Sequence, residues 1–146
     1  MPADLDTAAN HALHAFVKAL KLLDLSEWSA QLAGIGMLDL GILHHAARDP
    51  NAILADIRQA LGVPNSTLTS AIDRLERKGL LRRTINPRDK RSYGLALTDA
   101  GRALDKEHMR VDRAITRAVL AALDSDPERR TLVGLLEKVS RQMARR

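Results

Sequence analysis

Apolar positions along this chain fall into helical rows at both ends and change period once, near the middle. Leu5, Ala9, Ala12, Leu13, Phe16, Leu20 and Leu23 form a stripe at three- and four-residue spacing. The stripe predicts a first helix over residues 4–24, with Lys18 and Lys21 outside it. Residues 25–34, LSEWSAQLAG, read as a connector anchored by Trp28. A second helix is predicted from about 35 to 48, with Leu38, Ile42 and Leu43 inward and Asp49-Pro50-Asn51 as its stop. ILADIRQAL, residues 53–61, makes a third, with Ile53, Ile57 and Leu61 buried and Gly62 ending it. A fourth starts only a few residues later. Pro64 precedes it, Asn65 or Ser66 caps its first amides, and Leu68, Ile72 and Leu75 share one face. Gly79 follows its last turn, where left-handed backbone is wanted. Two helices this closely spaced are what a helix-turn-helix requires.

Beyond Gly79 the period shortens to that of strands. Leu80–Ile85 and Ser92–Leu97 read as a hairpin joined by Asn86-Pro87-Arg88-Asp89-Lys90-Arg91. A hairpin in this place is a wing. Thr98 then caps a long helix over roughly 99–123, with Leu104, His108, Val111, Ile115, Ala118 and Ala122 on one face. Asp126 is the expected cap of a last helix, with Pro127 in its first turn and Leu132, Leu135, Leu136, Val139 and Met143 as its stripe. The expected fold is mainly α with a small β-hairpin wing, one domain over 1–146. Its winged core is residues 35–101, with helical regions 1–34 and 102–146. These terminal helices carry more apolar face than the core can cover. They form either a dimer interface or an intrachain bundle, and the dimer is the simpler solution.

Charge sharpens the reading of the wing. Residues 73–91 hold Arg74, Arg77, Lys78, Arg82, Arg83, Arg88, Lys90 and Arg91 against Asp73, Glu76 and Asp89, which is the whole net charge of +5. A localised basic patch on a neutral body is the footprint of a polyanion binder. Aromatics are only 2%, namely Phe16, Trp28 and Tyr93, too few to stack unpaired bases, so the expected polyanion is duplex. The outward face of the fourth helix carries Ser66, Ser70, Asp73, Arg74 and Arg77. A merely solvated face would favour Glu and Lys over Ser and Thr. Short hydroxyls instead let a backbone approach and bond base edges or phosphates.

Other chemistries find little support. With no cysteine there is neither disulfide nor thiolate metal site. The first residues are acidic where a leader peptide is basic, and no segment reaches the ~18 apolar residues of a membrane span. A soluble, cytoplasmic protein is expected. No nucleophile-elbow, phosphate-loop or dinucleotide glycine pattern occurs, so no enzyme and no cofactor are expected. His44, Glu107, His108 and Asp112 could be imagined around a metal, but a lone histidine on an apolar helix face is more often hydrogen-bonded at an interface, and no metal is assigned.

Leu61 to Leu104 resembles the winged helix-turn-helix of MarR-type transcriptional regulators. The resemblance rests on Ser66-Thr67-Leu68-Thr69, Asp73-Arg74-Leu75-Glu76, Gly79-Leu80, Asp89-Lys90-Arg91 and Leu97-Thr98-Asp99-Ala100-Gly101. It implies a homodimer on pseudo-palindromic operator DNA, usually a repressor released by a small molecule. By position, Ser66, Thr67, Thr69, Ser70 and Arg74 would face the major groove. Arg91 would enter the minor groove with Asp89 holding its guanidinium, and Arg77, Arg88 and Lys90 complete the basic DNA-binding set. Thr98 and Gly101 read structurally, as an N-cap and a close helix approach, and Asp73 and Glu76 pair with nearby arginines. The family's effector sits between the dimerising helices and the winged unit, where His14, Phe16, Trp28 and Leu43 line a cleft or belong to ordinary core. The competing readings are a winged-helix module for an acidic protein partner and a metal-sensing regulator of the same fold.

Overall fold

A computed structural model describes residues 3–21, 24–90 and 92–144; Leu23 and Arg91, both named above, lie outside the described residues. The order is α1 (Ala3–Lys21), two 3-10 turns (Leu25–Glu27 and Ala30–Leu32), α2 (Met37–Arg48), α3 (Leu54–Leu61), α4 (Asn65–Arg77), β1 (Leu81–Ile85), β2 (Tyr93–Leu97), α5 (Asp99–Ala121) and α6 (Asp126–Met143). β1 and β2 pair antiparallel from Leu81↔Leu97 to Ile85↔Tyr93. This is the expected winged helix. Two strands alone are marginally stable, and here Leu81, Leu95 and Leu97 join the core made by Leu40, Ile42 and Leu43 of α2, Ile57 of α3, Leu68, Ile72 and Leu75 of α4, and Leu104 and Val111 of α5.

Sequence signals explain the joints. Gly62 and Gly79 both take left-handed backbone, at φ 63° and 69°, ending α3 and α4. Thr98 caps α5, its hydroxyl accepting from the Gly101 amide at 3.0 Å and donating to the Gly79 carbonyl at 2.7 Å. Two expected caps are corrected. The N-cap of α4 is Pro64, whose side chain offers no acceptor, so Asn65 and Ser66 lie inside the first turn. The N-cap of α6 is Ser125, accepting from the Glu128 amide, with Asp126 as the first helical residue.

The connector is also anchored differently. Trp28 is 38% exposed, while Leu32 is the buried residue of the segment. Beside the burial of Leu32, polar contacts tie the connector to α5. Arg110 donates to both carboxylate oxygens of Glu107, at 2.9 and 2.8 Å, and to the Trp28 carbonyl at 3.2 Å. The Arg110 guanidinium and the Ser29 hydroxyl hold the Glu107 carboxyl down from 4.5 to about 2. A depressed carboxyl stabilises the fold above its unfolded pKa, and that contribution is lost as pH falls through the folded value. Emission from Trp28, the single tryptophan, is therefore expected to shift as pH falls from 4.5 toward about 2. The same shift should be missing in Glu107→Gln, with far-UV helicity as the control.

The ends of the chain pack differently from the centre. Among the described residues, none of α1 or α6 is buried. Leu13, Phe16 and Leu20 of α1 and Leu135, Val139 and Met143 of α6 are all at least 46% exposed. No helix among the described residues is long and apolar enough to cross a membrane.

Candidate nucleic-acid interface

Two arms project from the core, helix α4 and the β1–β2 wing. Each is held by a polar side chain buried in the interior, α4 by Asp39 and the tip of the wing by Asn86.

Helix α4 buries Leu68, Ala71, Ile72 and Leu75, which leaves Ser66, Thr67, Thr69, Ser70, Asp73 and Arg77 exposed. Within the described residues no hydrogen bond engages the four hydroxyls of its first two turns. Arg74 departs from the expected groove-facing role. Its Nε donates to Asp39 Oδ2 at 3.0 Å and its Nη2 to Asp39 Oδ1. The Asp39 side chain is 2% exposed and that of Arg74 43%. A two-pronged bond to a buried carboxylate on α2 engages the guanidinium inward, so Arg74 ties α4 to α2. The helical period places residue 74 on the outward side, but period alone does not show that α2 offers an acid within reach.

The wing is aimed by Asn86. This side chain is wholly buried. Its Nδ2 donates to the Ala52 carbonyl at 3.2 Å, while its Oδ1 accepts from the amides of Arg88 at 2.8 Å and Asp89 at 3.4 Å. One asparagine thus folds the tip and fastens it to the loop before α3. Arg88 is exposed and reaches Asp56 of α3 at 3.2 Å, a surface pair of small energetic value. Lys90 is exposed at the tip. Arg91 lies outside the described residues, and Asp89 has a further interaction of its own.

The two acids of α4 pair as expected. Asp73 and Glu76 are both bonded by Arg83 of β1, whose backbone amide also donates to Glu76 Oε1 at 3.1 Å. Arg83 further stacks on Tyr93, its guanidinium carbon 4.8 Å from the ring centroid. These contacts hold its guanidinium in the charged form, well above its ordinary pKa.

The four residues read as lining a cleft or belonging to core differ in burial. Leu43 is fully buried core, and Phe16 and Trp28 are 46% and 38% exposed. His14 is exposed on α1, its Nδ1 2.8 Å from the Asn10 carbonyl. The cleft that does form, of about 590 Å³, lies between α1 and the body and is lined by Val17, Leu20, Leu25, Met37, His108, Asp112 and Ile115. His108 Nδ1 is buried without a partner within the described residues. The set imagined for a metal is dispersed, His44 pairing with Asp105 at 3.2 Å and Glu107 with Arg110, and no three such side chains cluster among the described residues.

Residues 35–93 match the model of the MarR family. The chain is 35% identical over 105 residues to a protein of Thauera aromatica named as a regulator for the hcr operon, a match covering 70% of this chain and 61% of that protein. It is 39% identical over 93 residues to the HTH-type transcriptional regulator PecS of Dickeya dadantii, covering 61% of this chain and 53% of PecS. The matched stretch thus spans less than two thirds of each relative. In fold the chain is similar to FabT of Streptococcus pneumoniae, solved in complex with DNA, with a TM-score of 0.81 at 19% identity over 96% of this chain and 97% of that one.

Proposed function

The chain belongs to the MarR family of winged-helix proteins, and from that membership we propose that it is a transcriptional regulator binding double-stranded DNA sequence-specifically, without catalysis. The observation that carries this reading is the exposed row of Ser66, Thr67, Thr69 and Ser70 on a helix whose other side is locked into the core. A helix fits the major groove, and hydroxyls there bond base edges or phosphates. Arg77 follows them at the end of α4, and Lys90 and Arg88 extend from the wing. By resemblance, Arg91 takes the minor groove, where negative potential is concentrated.

The protein acts as a homodimer in this proposal, with residues 1–34 and 102–146 as the assembly region of a single 1–146 domain. The exposed apolar stripes of α1 and α6 support it, since a second copy is the simplest cover for both. It works as a cytoplasmic repressor on a two-fold operator, and a small ligand in the cleft beside His108 releases it.

The test is selection of duplexes from a randomised library at physiological salt. A two-fold motif with half-sites one helical turn apart is expected, bound with an affinity that falls linearly in log–log terms as salt rises. Failure to enrich any sequence would overturn the reading and favour a module for an acidic protein. Ser70→Ala is expected to cost on the order of 1 kcal/mol of discrimination at one base position, with non-specific affinity unchanged. A parallel fall in both affinities would reduce Ser70 to a phosphate contact.

A further inference from the structure

The exposed edge of α4 carries a difficulty for any polyanion binder. Asp73 and Glu76 lie one turn apart between Ser70 and Arg77, with side chains 50% and 37% exposed. Carboxylates on a face that approaches phosphates are repelled, and like-charge juxtaposition at an interface is costly. Both are held by one residue from another element. Arg83 of β1 places one guanidinium nitrogen on each carboxylate, its backbone amide on Glu76, and its flat face against Tyr93. Its own side chain is 30% exposed. No other arginine of the described basic stretch is engaged from so many sides.

We propose that Arg83 is the positioning residue of this interface. It screens the two acids of α4 from the approaching polyanion rather than touching the polyanion itself. Charge counting along the sequence misses this, because it scores Arg83 as one more cation of the binding patch. With Arg74 bonded to Asp39 and Arg83 to Asp73 and Glu76, at least two of the eight basic residues in 73–91 serve internal geometry. Arginine suits the task, since its planar fork can serve two carboxylates at once, which an ammonium cannot do with the same geometry.

The inference rests on the DNA-binding reading for its duplex and on polyanion attraction alone for its physics, so two probes are needed. One is the selected duplex; the other is immobilised heparin eluted with salt. Four full-length proteins form a cycle: wild type, Arg83→Met, Asp73→Asn/Glu76→Gln, and the triple variant. Removing Arg83 changes net charge equally in both backgrounds, so a simple cation count predicts equal losses. Screening predicts unequal ones. Arg83→Met is expected to weaken binding about tenfold where the acids remain and by less than about threefold where they are neutral. Asp73→Asn/Glu76→Gln should bind at least as well as wild type. Equal losses in both backgrounds would overturn the proposal and make Arg83 a direct contact, as would weaker binding by the acid-free variant. Thermal unfolding checks each fold. Should Arg83→Met not fold, Arg83→Lys replaces it, with a several-fold loss expected only where the acids remain. If no duplex is bound, the DNA reading fails by itself, while the heparin series still decides the role of Arg83.

Discussion

Arg74→Ala is expected to destabilise the fold by about 3 kcal/mol in urea unfolding, the lower end for breaking a buried ion pair, since Arg74 is itself 43% exposed. The reason is what it leaves behind. Asp39 is buried in α2 against α4, with its two oxygens served by Nε and Nη2 of one guanidinium. Truncating the arginine strips the carboxylate of both its donors while the packing of the core keeps it largely covered, and an uncompensated buried charge costs far more than the pair was worth. Asp39→Asn should be milder. The amide oxygen still accepts from Arg74, and a side chain already 43% exposed can turn outward. The comparison separates anchoring from DNA contact. If Arg74 met bases, Arg74→Ala would leave stability near wild type and change sequence preference. A cost below about 1 kcal/mol would refute the anchoring role.

Gly101→Ala is expected to cost about 3 kcal/mol, by backbone overlap rather than by charge. A Cβ at this position would sit 1.9 Å from the Leu80 carbonyl oxygen and 3.0 Å from its carbon. That carbonyl cannot retreat freely, because it accepts from the Thr98 amide at 3.1 Å, in the turn that starts α5. Alanine gains about 1 kcal/mol in helix propensity over glycine, which is smaller than the cost of parting two backbones that also join the wing to α5. Calorimetry of the folded variant would check it, with the midpoint dropping by several degrees. An unchanged midpoint would mean that the approach of α5 to Leu80 is looser than the geometry indicates.

Local signals made α4, the wing and the start of α5 legible, because each is punctuated by a residue with one strong conformational demand. Gly62, Gly79, Thr98 and Gly101 all do what their chemistry requires at those positions. The pairing of Asp73 and Glu76 with an arginine followed from electrostatics alone, though the sequence does not say which arginine. Longer-range relations were not legible. Asp39 follows Leu38 and precedes Leu40 like any helix-surface acid, and nothing nearby signals that its partner is 35 residues away. Asn86 stands before a proline, a familiar turn opening, yet its burial depends on the Ala52 carbonyl from the loop before α3. Leu43 and Trp28 read equally as cleft or as core in the sequence, because apolar residues look alike until packing chooses between them; Leu43 lies in the core and Trp28 is 38% exposed. The cleft itself draws on α1, α2, α5 and the connector, a convergence invisible in one dimension.

The buried asparagine has a consequence for how such a protein can diverge. Its oxygen holds the tip through the main-chain amides of residues 88 and 89, not through their side chains. Any residue except proline supplies those donors. The direction of the hairpin and the chemistry displayed at its end are therefore separately heritable. Substitutions at 88 and 89 alter what the tip offers to a surface while its aim stays put, so new specificities can be explored there without refolding the arm that carries them.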